Sequence, residues 1–180
     1  MDTQFLVLTL LGEDRPGLVE SLSQLIATHE GNWLESRMSR LAGKFAGILR
    51  ASVPATRAEA LTRALYGLEA QGLRLMLEWS DSEPLPSYDR RLKLDLLGHD
   101  RPGIIRDISR ALVWRGINIE ELQTEYTSAP MSGAMLFKAT AFLRVPPEVV
   151  IAEFQDNLEQ IAHDLMVDVT LQAVADRQPE

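Results

Sequence analysis

The sequence predicts an α+β chain in which one ferredoxin-like βαββαβ unit occurs twice, each copy a four-stranded antiparallel sheet with two helices on one face. Three observations predict it. First, Leu10-Leu11-Gly12-Glu13-Asp14-Arg15-Pro16-Gly17 returns 86 positions later as Leu96-Leu97-Gly98-His99-Asp100-Arg101-Pro102-Gly103, and the register runs on without a gap to Asn32 and Asn118, then Glu35 and Glu121. Second, the period-2 and helical-period patterns follow one another in the same order, strand, helix, strand, strand, helix, strand, in both copies. Third, Ser80-Asp81-Ser82-Glu83-Pro84-Leu85-Pro86-Ser87 has the polar, proline-rich composition of an exposed linker. The expected organisation is therefore a first domain over 1–80, a linker over 81–88, a second domain over 89–175 and a disordered tail over 176–180.

The first strand spans Phe5 to Leu11, an apolar run that suits a strand covered on both faces. Leu6, Leu8 and Leu10 match Leu92, Leu94 and Leu96, which marks the inward face in both copies. The outward residues differ, Phe5 and Val7 against Arg91 and Lys93, so the back of the first sheet needs a cover that the second does not. Leu18, Val19, Leu22, Leu25 and Ile26 form one helical stripe, repeated as Ile104, Ile105, Ile108, Ala111 and Leu112. Gly31 and Gly116 are expected to close these helices. A hairpin follows, Trp33 to Leu41 and Phe45 to Val53, turning at Ala42-Gly43-Lys44. Its counterpart runs from Ile117 to Thr127 and from Ala134 to Val145, with Ser128 to Gly133 as a longer loop, which costs little entropy. The second helix rests on Leu61, Leu65 and Leu68, or on Val150, Phe154, Leu158 and Ile161, and the last strand covers Leu73 to Trp79 or Met166 to Val174.

Units of under ninety residues bury only about 60 to 65% of their unfolded surface, so packing partners are expected, including a homodimer. The formal charge of −8, with no gathered Lys/Arg cluster, disfavours direct nucleic-acid binding. There is no cysteine, hence no disulfide frame and no thiolate nucleophile or ligand. Met1-Asp2-Thr3-Gln4-Phe5 lacks the basic start of a signal peptide and no apolar run is long enough to span a bilayer, so a cytoplasmic location without membrane contact is expected.

The repeated turn is the functional candidate. Proline in the first turn of a helix loses no hydrogen bond, and the first amides together with the dipole can hold a carboxylate or phosphate. If the ligand is a free amino acid, its carboxylate takes amides from Gly12 to Gly17 or from Gly98 to Gly103. Its ammonium takes Asp14 or Asp100 and the amide oxygen of Asn32 or Asn118. This reading requires each aspartate to lie near an asparagine. The other reading is purely structural: the aspartates cap helices, the glycines supply unusual φ, and the asparagines satisfy local backbone.

Other chemistry finds less support. Gly12 and Gly17 have phosphate-loop spacing, but Leu18-Val19 and Ile104-Ile105 stand where Lys and Ser/Thr are required. Lys44-Phe45-Ala46-Gly47-Ile48 is a poor likeness of an RNA-binding third strand. His29, His99 and His163 are isolated, no Ser/His/Asp set or carboxylate pair has catalytic spacing, and Trp114 and Met135 read as core or interface. Neither a metal nor a cofactor is expected.

With the G-x-D-R-P-G turn repeated, Asn32 and Asn118 opening the next strand and two βαββαβ units, the sequence resembles the ACT domain, a small regulatory fold that commonly senses amino acids. Two such domains over this length, with Asn32 to Phe45 similar to that family's second strand and hairpin, look like the glycine cleavage system transcriptional repressor family. The resemblance implies a non-enzymatic accessory repressor without a DNA-binding domain of its own, acting through a DNA-binding transcription factor, with glycine or a similar amino acid as effector. It implies ligand contacts at Gly12, Asp14, Arg15, Pro16, Gly17 and Asn32, and at Gly98, His99, Asp100, Arg101, Pro102, Gly103 and Asn118. The family's usual Asn-Ile is kept as Asn118-Ile119, whereas Asn32-Trp33 departs from it, and the tryptophan is expected to narrow the first site. A regulatory subunit of an amino-acid metabolic enzyme and a ligand-free interaction scaffold are the rival readings.

Overall fold

The computed structural model describes residues 2–80, 90–129 and 133–175, so the linker and tail expected from the sequence lie outside the described residues. The chain divides into two compact units, Met1–Leu85 and Pro86–Glu180. In the first, the order is β1 (Thr3–Glu13), α1 (Leu18–Thr28), β2 (Asn32–Leu41), β3 (Lys44–Pro54), α2 (Ala55–Tyr66), a 3-10 turn (Gly67–Gln71) and β4 (Arg74–Ser80). The second repeats it as β5 (Arg90–His99), α3 (Ile104–Val113), β6 (Asn118–Ser128), β7 (Met135–Val145), α4 (Ile151–Leu165) and β8 (Val167–Ala173). The sheets are antiparallel with orders β2-β3-β1-β4 and β6-β7-β5-β8, the ferredoxin-like arrangement.

Strand alternation builds both cores. Leu6, Leu8 and Leu10 bury against Leu18, Leu22 and Ile26 of α1 and Leu61 and Leu65 of α2; Leu92, Leu94 and Leu96 do the same with Ile104, Ile108 and Leu112 of α3 and Phe154 and Leu158 of α4. Each fully buried Leu or Phe contributes about 1.5 to 3 kcal/mol, so these stripes hold the helices down. A β-bulge at the same place in both copies adds Leu34 to β2 and Glu120 to β6.

The outward faces differ in kind. Behind the second sheet, the guanidinium of Arg91, only 7% exposed, donates to Glu120 and Glu121 at 3.1 Å each and lies 4.5 Å from the centre of the Phe142 ring. Arg144 joins through Glu120 at 2.6 Å, and Lys93 and Thr140 both reach Asp95 at 2.7 Å. Behind the first sheet stand Val7, Leu11, Ile48 and Met76, which remain 37 to 61% exposed. The helices seal the leucine face of β1, whereas its other face stays partly exposed. Trp114, at the C-terminal cap of α3, and Met135, at the start of β7, are also exposed, which excludes a core role for either.

Helix closure is asymmetric too. Gly116 is left-handed as expected, with φ of 67°, but in the first copy Glu30 takes that conformation, at φ 61°. Gly31 is instead demanded by space. A Cβ there would sit 2.9 Å from Ile26 Cγ2 and 3.0 and 3.1 Å from the carbonyl oxygens of Ile26 and Ser52.

Two stability outcomes follow from these contacts. Gly31→Ala lowers unfolding free energy by roughly 1 to 3 kcal/mol in denaturant titration, whereas Gly67→Ala, with open space and φ −59°, is neutral or stabilising by about 0.5 to 1 kcal/mol. Asp95 is held below the ordinary carboxylate range. Burial opposes this by disfavouring the charge, but the hydrogen bonds from Lys93 and Thr140 and the charges of Lys93 and Lys138 outweigh it. A depressed folded pKa stabilises above the unfolded value of about 3.9 and is lost as pH falls below it. Denaturant titrations across acid pH thus show a decline that Asp95→Asn flattens.

Candidate functional site

The repeated turn leaves the central strand of each sheet and delivers the chain to a helix. The entry residue is the glycine, not the proline: Gly17 and Gly103 adopt φ of 89° and 97°, and their carbonyls accept the first helical hydrogen bonds, from Ser21 N–H at 2.9 Å and Asp107 N–H at 3.0 Å. Pro16 and Pro102 thus stand just outside the helix, a correction to their expected place in its first turn. A left-handed entry admits glycine readily and other residues only with strain, so the glycine sets the position.

Neither aspartate caps a helix, since no side chain caps α1 or α3. Instead the Asp14 N–H donates to the Gly43 carbonyl at 3.0 Å and the Asp100 N–H to that of Met135 at 3.4 Å, tying each turn to its hairpin. Gly12 and Gly98 have a packing reason. A Cβ on Gly12 would approach Leu73 Cδ2 to 2.7 Å, and one on Gly98 would approach Val167 Cγ1 to 2.5 Å and its Cα to 2.9 Å.

The two turns are furnished differently. In the first, Asp14 is paired with Arg40 Nε at 2.7 Å, Arg15 Nη2 donates to Gln71 Oε1 at 3.1 Å, and Glu13 pairs with Lys44. The protein's own side chains occupy that turn. In the second, Tyr126 stands in the register position of Arg40, both being opposite a phenylalanine, Phe137 and Phe45. There an open cleft of about 400 Å³ spans Asp100 to Arg106 and is walled by Tyr126 and Phe137, whose rings meet edge to face at 6.0 Å. Arg101 lines it, and its Nε is buried without a hydrogen-bond partner. A buried guanidinium N–H left unsatisfied costs free energy, which an anionic acceptor would recover. Asp107 one turn into α3 is engaged by Arg106 Nε at 2.8 Å. Asp100 lines the cleft and is exposed, whereas His99, also exposed, is not part of the lining.

Asn32 and Asn118 do not join these turns. Asn118 is opposite Arg144 in β7, whereas His99 at the turn is opposite Leu136, so eight residues of strand separate them, on the order of 25 Å. Asn32, opposite Ser52, is likewise at the far end of its sheet from Glu13, which is opposite Lys44. The helix carries the chain back across the sheet before the next strand begins, so the residue after the helix starts at the opposite end. The expected pairing of Asp14 with Asn32 and of Asp100 with Asn118 within a copy is overturned. Trp33 lies at that far end too, with its indole N–H on Ser36 Oγ at 3.3 Å, and does not narrow the turn of its own copy. The pairings Arg40–Asp14 and Arg15–Gln71 escaped the sequence reading; strand alternation alone could have placed Arg40 near the turn, but Gln71 arrives through the 3-10 turn, which carries no such signal.

Among the described residues no three His, Asp or Glu side chains gather where a metal ion could be held, and no helix is long and apolar enough to cross a membrane.

Residues 4–79 match the ACT domain family. A crystal structure of an unknown protein from Galdieria sulphuraria is 28% identical, with 96% of this chain and 99% of that one covered at a TM-score of 0.84. A protein provisionally named a glycine cleavage system transcriptional repressor is 19% identical, covers 97% of this chain and 99% of its own, and superposes with a TM-score of 0.71. No curated protein matches the chain.

The Arg106 hydrogen bond, joined by the charges of Arg106, Arg101 and Arg110 and opposed by slight desolvation, holds the Asp107 carboxyl below its ordinary range. Carboxyl NMR titration should find it there, and Arg106→Ala should return it toward about 3.9.

Proposed function

We propose that this tandem ACT-domain protein is a non-enzymatic, amino-acid-responsive regulator whose effector site is the Asp100–Arg106 cleft of the second domain. ACT domains are regulatory, and that general role carries the first half of the reading. The observation that carries the second half is Arg101, whose buried Nε has no partner beside an uncapped helix start in an open cleft.

A zwitterion suits that arrangement. Its carboxylate is placed against Arg101 and the first amides of α3, where the dipole favours negative charge. Its ammonium has Asp100 at the mouth and the faces of Tyr126 and Phe137 as partners. This site departs from the sequence expectation, which required an asparagine beside each aspartate: Asn118 stands at the far end of the sheet, and Asp100 and the aromatic rings serve the ammonium in its place. The first turn, with Asp14 and Arg15 already engaged by Arg40 and Gln71, acts as a structural copy.

Glycine is the effector favoured by the likeness in fold and two-domain layout to the provisionally named repressor, and with it an accessory role in repressing glycine cleavage through a DNA-binding transcription factor. Glycine has five heavy atoms, so a ceiling of roughly 1.5 kcal/mol per atom caps binding near 7.5 kcal/mol, a dissociation constant of a few micromolar at best. To act as a switch the ligand must favour one conformation or assembly by about 1 to 3 kcal/mol.

Calorimetry with glycine, serine and the branched-chain amino acids tests the site. The expected result is saturable heat in the micromolar to millimolar range that disappears in Arg101→Ala and survives in Arg15→Ala. No heat and no thermal shift at millimolar amino acid would favour the scaffold reading. Affinity capture from the native cell tests the partner: a DNA-binding regulator supports the repressor role, and an amino-acid metabolic enzyme in its place would make the chain a regulatory subunit.

A further inference from the structure

The copies also differ where the last strand meets the second helix. In the first unit Leu6 of β1 is opposite Trp79 of β4, and the Trp79 indole N–H donates to Thr62 Oγ1 of α2 at 3.2 Å. In the second unit Leu92 is opposite Ala173, so alanine holds the register position of that tryptophan. The inward rhythm Ala58, Leu61 and Leu65 of α2 returns in α4 as Ile151, Phe154 and Leu158, which puts Gln155 where Thr62 stands. With the indole replaced by a methyl group, an open groove of about 440 Å³ remains, lined by Arg90, Leu92, Ile151, Gln155, Leu171 and Ala173 among others. The Gln155 carboxamide donates to Glu159 Oε1 at 3.1 Å, which leaves its oxygen free to accept. At the rim, the exposed Arg90 donates through Nη2 to the carbonyls of Pro146 at 3.0 Å, Pro147 at 3.2 Å and Val149. Among the described residues no carboxylate is paired with it.

We propose that this groove of the second domain binds a free aromatic carboxylic acid of indole size, its ring in the place that Trp79 takes in the first domain and its carboxylate on Arg90. The first copy supplies the template for the ring: the same strand pair and the same helix face already hold an indole there, with a side-chain oxygen as acceptor. In the second copy Leu92, Ile151 and Leu171 offer the ring apolar contact, and Gln155 offers the oxygen. Small-molecule sites have this character, about 300 to 1,000 Å³ and mostly apolar, with a few polar groups that fix orientation. Charge selects an acid over a neutral ring. Backbone carbonyls leave the guanidinium with its full charge, and a carboxylate at the rim forms the stronger, charge-assisted hydrogen bond. The register position of Arg90, opposite Val145, is that of Gln4, opposite Val53, so the cation is present where the slot is vacant and absent where tryptophan fills it. The groove shares no lining residue with the Arg101 cleft, so the proposal stands apart from the effector site.

Calorimetry of the full chain with indole-3-acetate tests the site. Saturable binding is expected, and Arg101→Ala should leave it intact. Ala173→Trp rebuilds the arrangement of the first copy and should abolish binding with circular dichroism unchanged. Arg90→Gln should weaken indole-3-acetate roughly tenfold or more and leave neutral indole as it was. A wild type without saturable heat at millimolar indole-3-acetate overturns the proposal, as does undiminished binding in Ala173→Trp. Equal losses of indole and indole-3-acetate in Arg90→Gln overturn the placement of the carboxylate. N-acetyltryptophanamide, which lacks a carboxylate, bound as tightly as indole-3-acetate would make the occupant a tryptophan side chain of a partner protein and overturn the free acid. If Ala173→Trp does not fold, Gln155→Leu decides: loss of the acceptor should weaken indole-3-acetate several-fold, and unchanged affinity overturns the proposal.

Discussion

The central strand of each sheet, paired on both sides and leucine-faced under two helices, is the constraint from which the rest of the molecule follows. β1 lies between β3 and β4, and β5 between β7 and β8, so neither can shift by one residue without turning its leucines out of the core. That pinning sends the chain out at one end of the sheet through a glycine turn, back across it as a helix, and into the edge strand from the far end. The turn residues and the residues that open the next strand are thereby held at opposite ends. What looked in the sequence like one constellation, an acidic residue and an asparagine eighteen positions apart, is split by the length of a helix.

Within that common frame the copies have diverged where packing leaves freedom. Their cores interchange leucine, isoleucine and phenylalanine around the same stripes. Their turns and sheet backs have taken opposite courses. The first turn is closed by Arg40 and Gln71, and its sheet back keeps Val7, Ile48 and Met76 exposed among charged neighbours; the second turn is open around Arg101, and its sheet back is laced by Arg91, Glu120, Glu121 and Arg144. Arg91 is only 7% exposed, so its hydrogen bonds to Glu120 and Glu121 chiefly spare a buried charge from being left unpaired and make that face self-sufficient.

Legibility from the sequence tracked burial. The leucines at 6, 8 and 10 and their partners at 92, 94 and 96 identified the inward face, since alternation is a local property with one physical cause. The difference between Phe5 and Val7 on one sheet back and Arg91 and Lys93 on the other was equally visible. Gly116 was readable as a left-handed closure. Gly31 was not, because its requirement comes from Ile26 and from Ser52 on a neighbouring strand. Proline was placed inside the helix because its φ suits that position, but the left-handed glycine that follows cannot be part of the helix and so pushes the boundary past it.

The sequence by itself determined the duplication, the order and type of the elements, the inward faces and the position of the turn, because periodicity and backbone preference act over a few residues and need no knowledge of neighbours. Only the tertiary structure decided which turn is open, that Arg40 and Gln71 occupy the first while Arg101 is left with a buried unpaired N–H in the second, and that the asparagines stand apart from both. Those are relations between residues brought together by strand pairing and helix return across a sheet, and the distances between them depend on the whole fold.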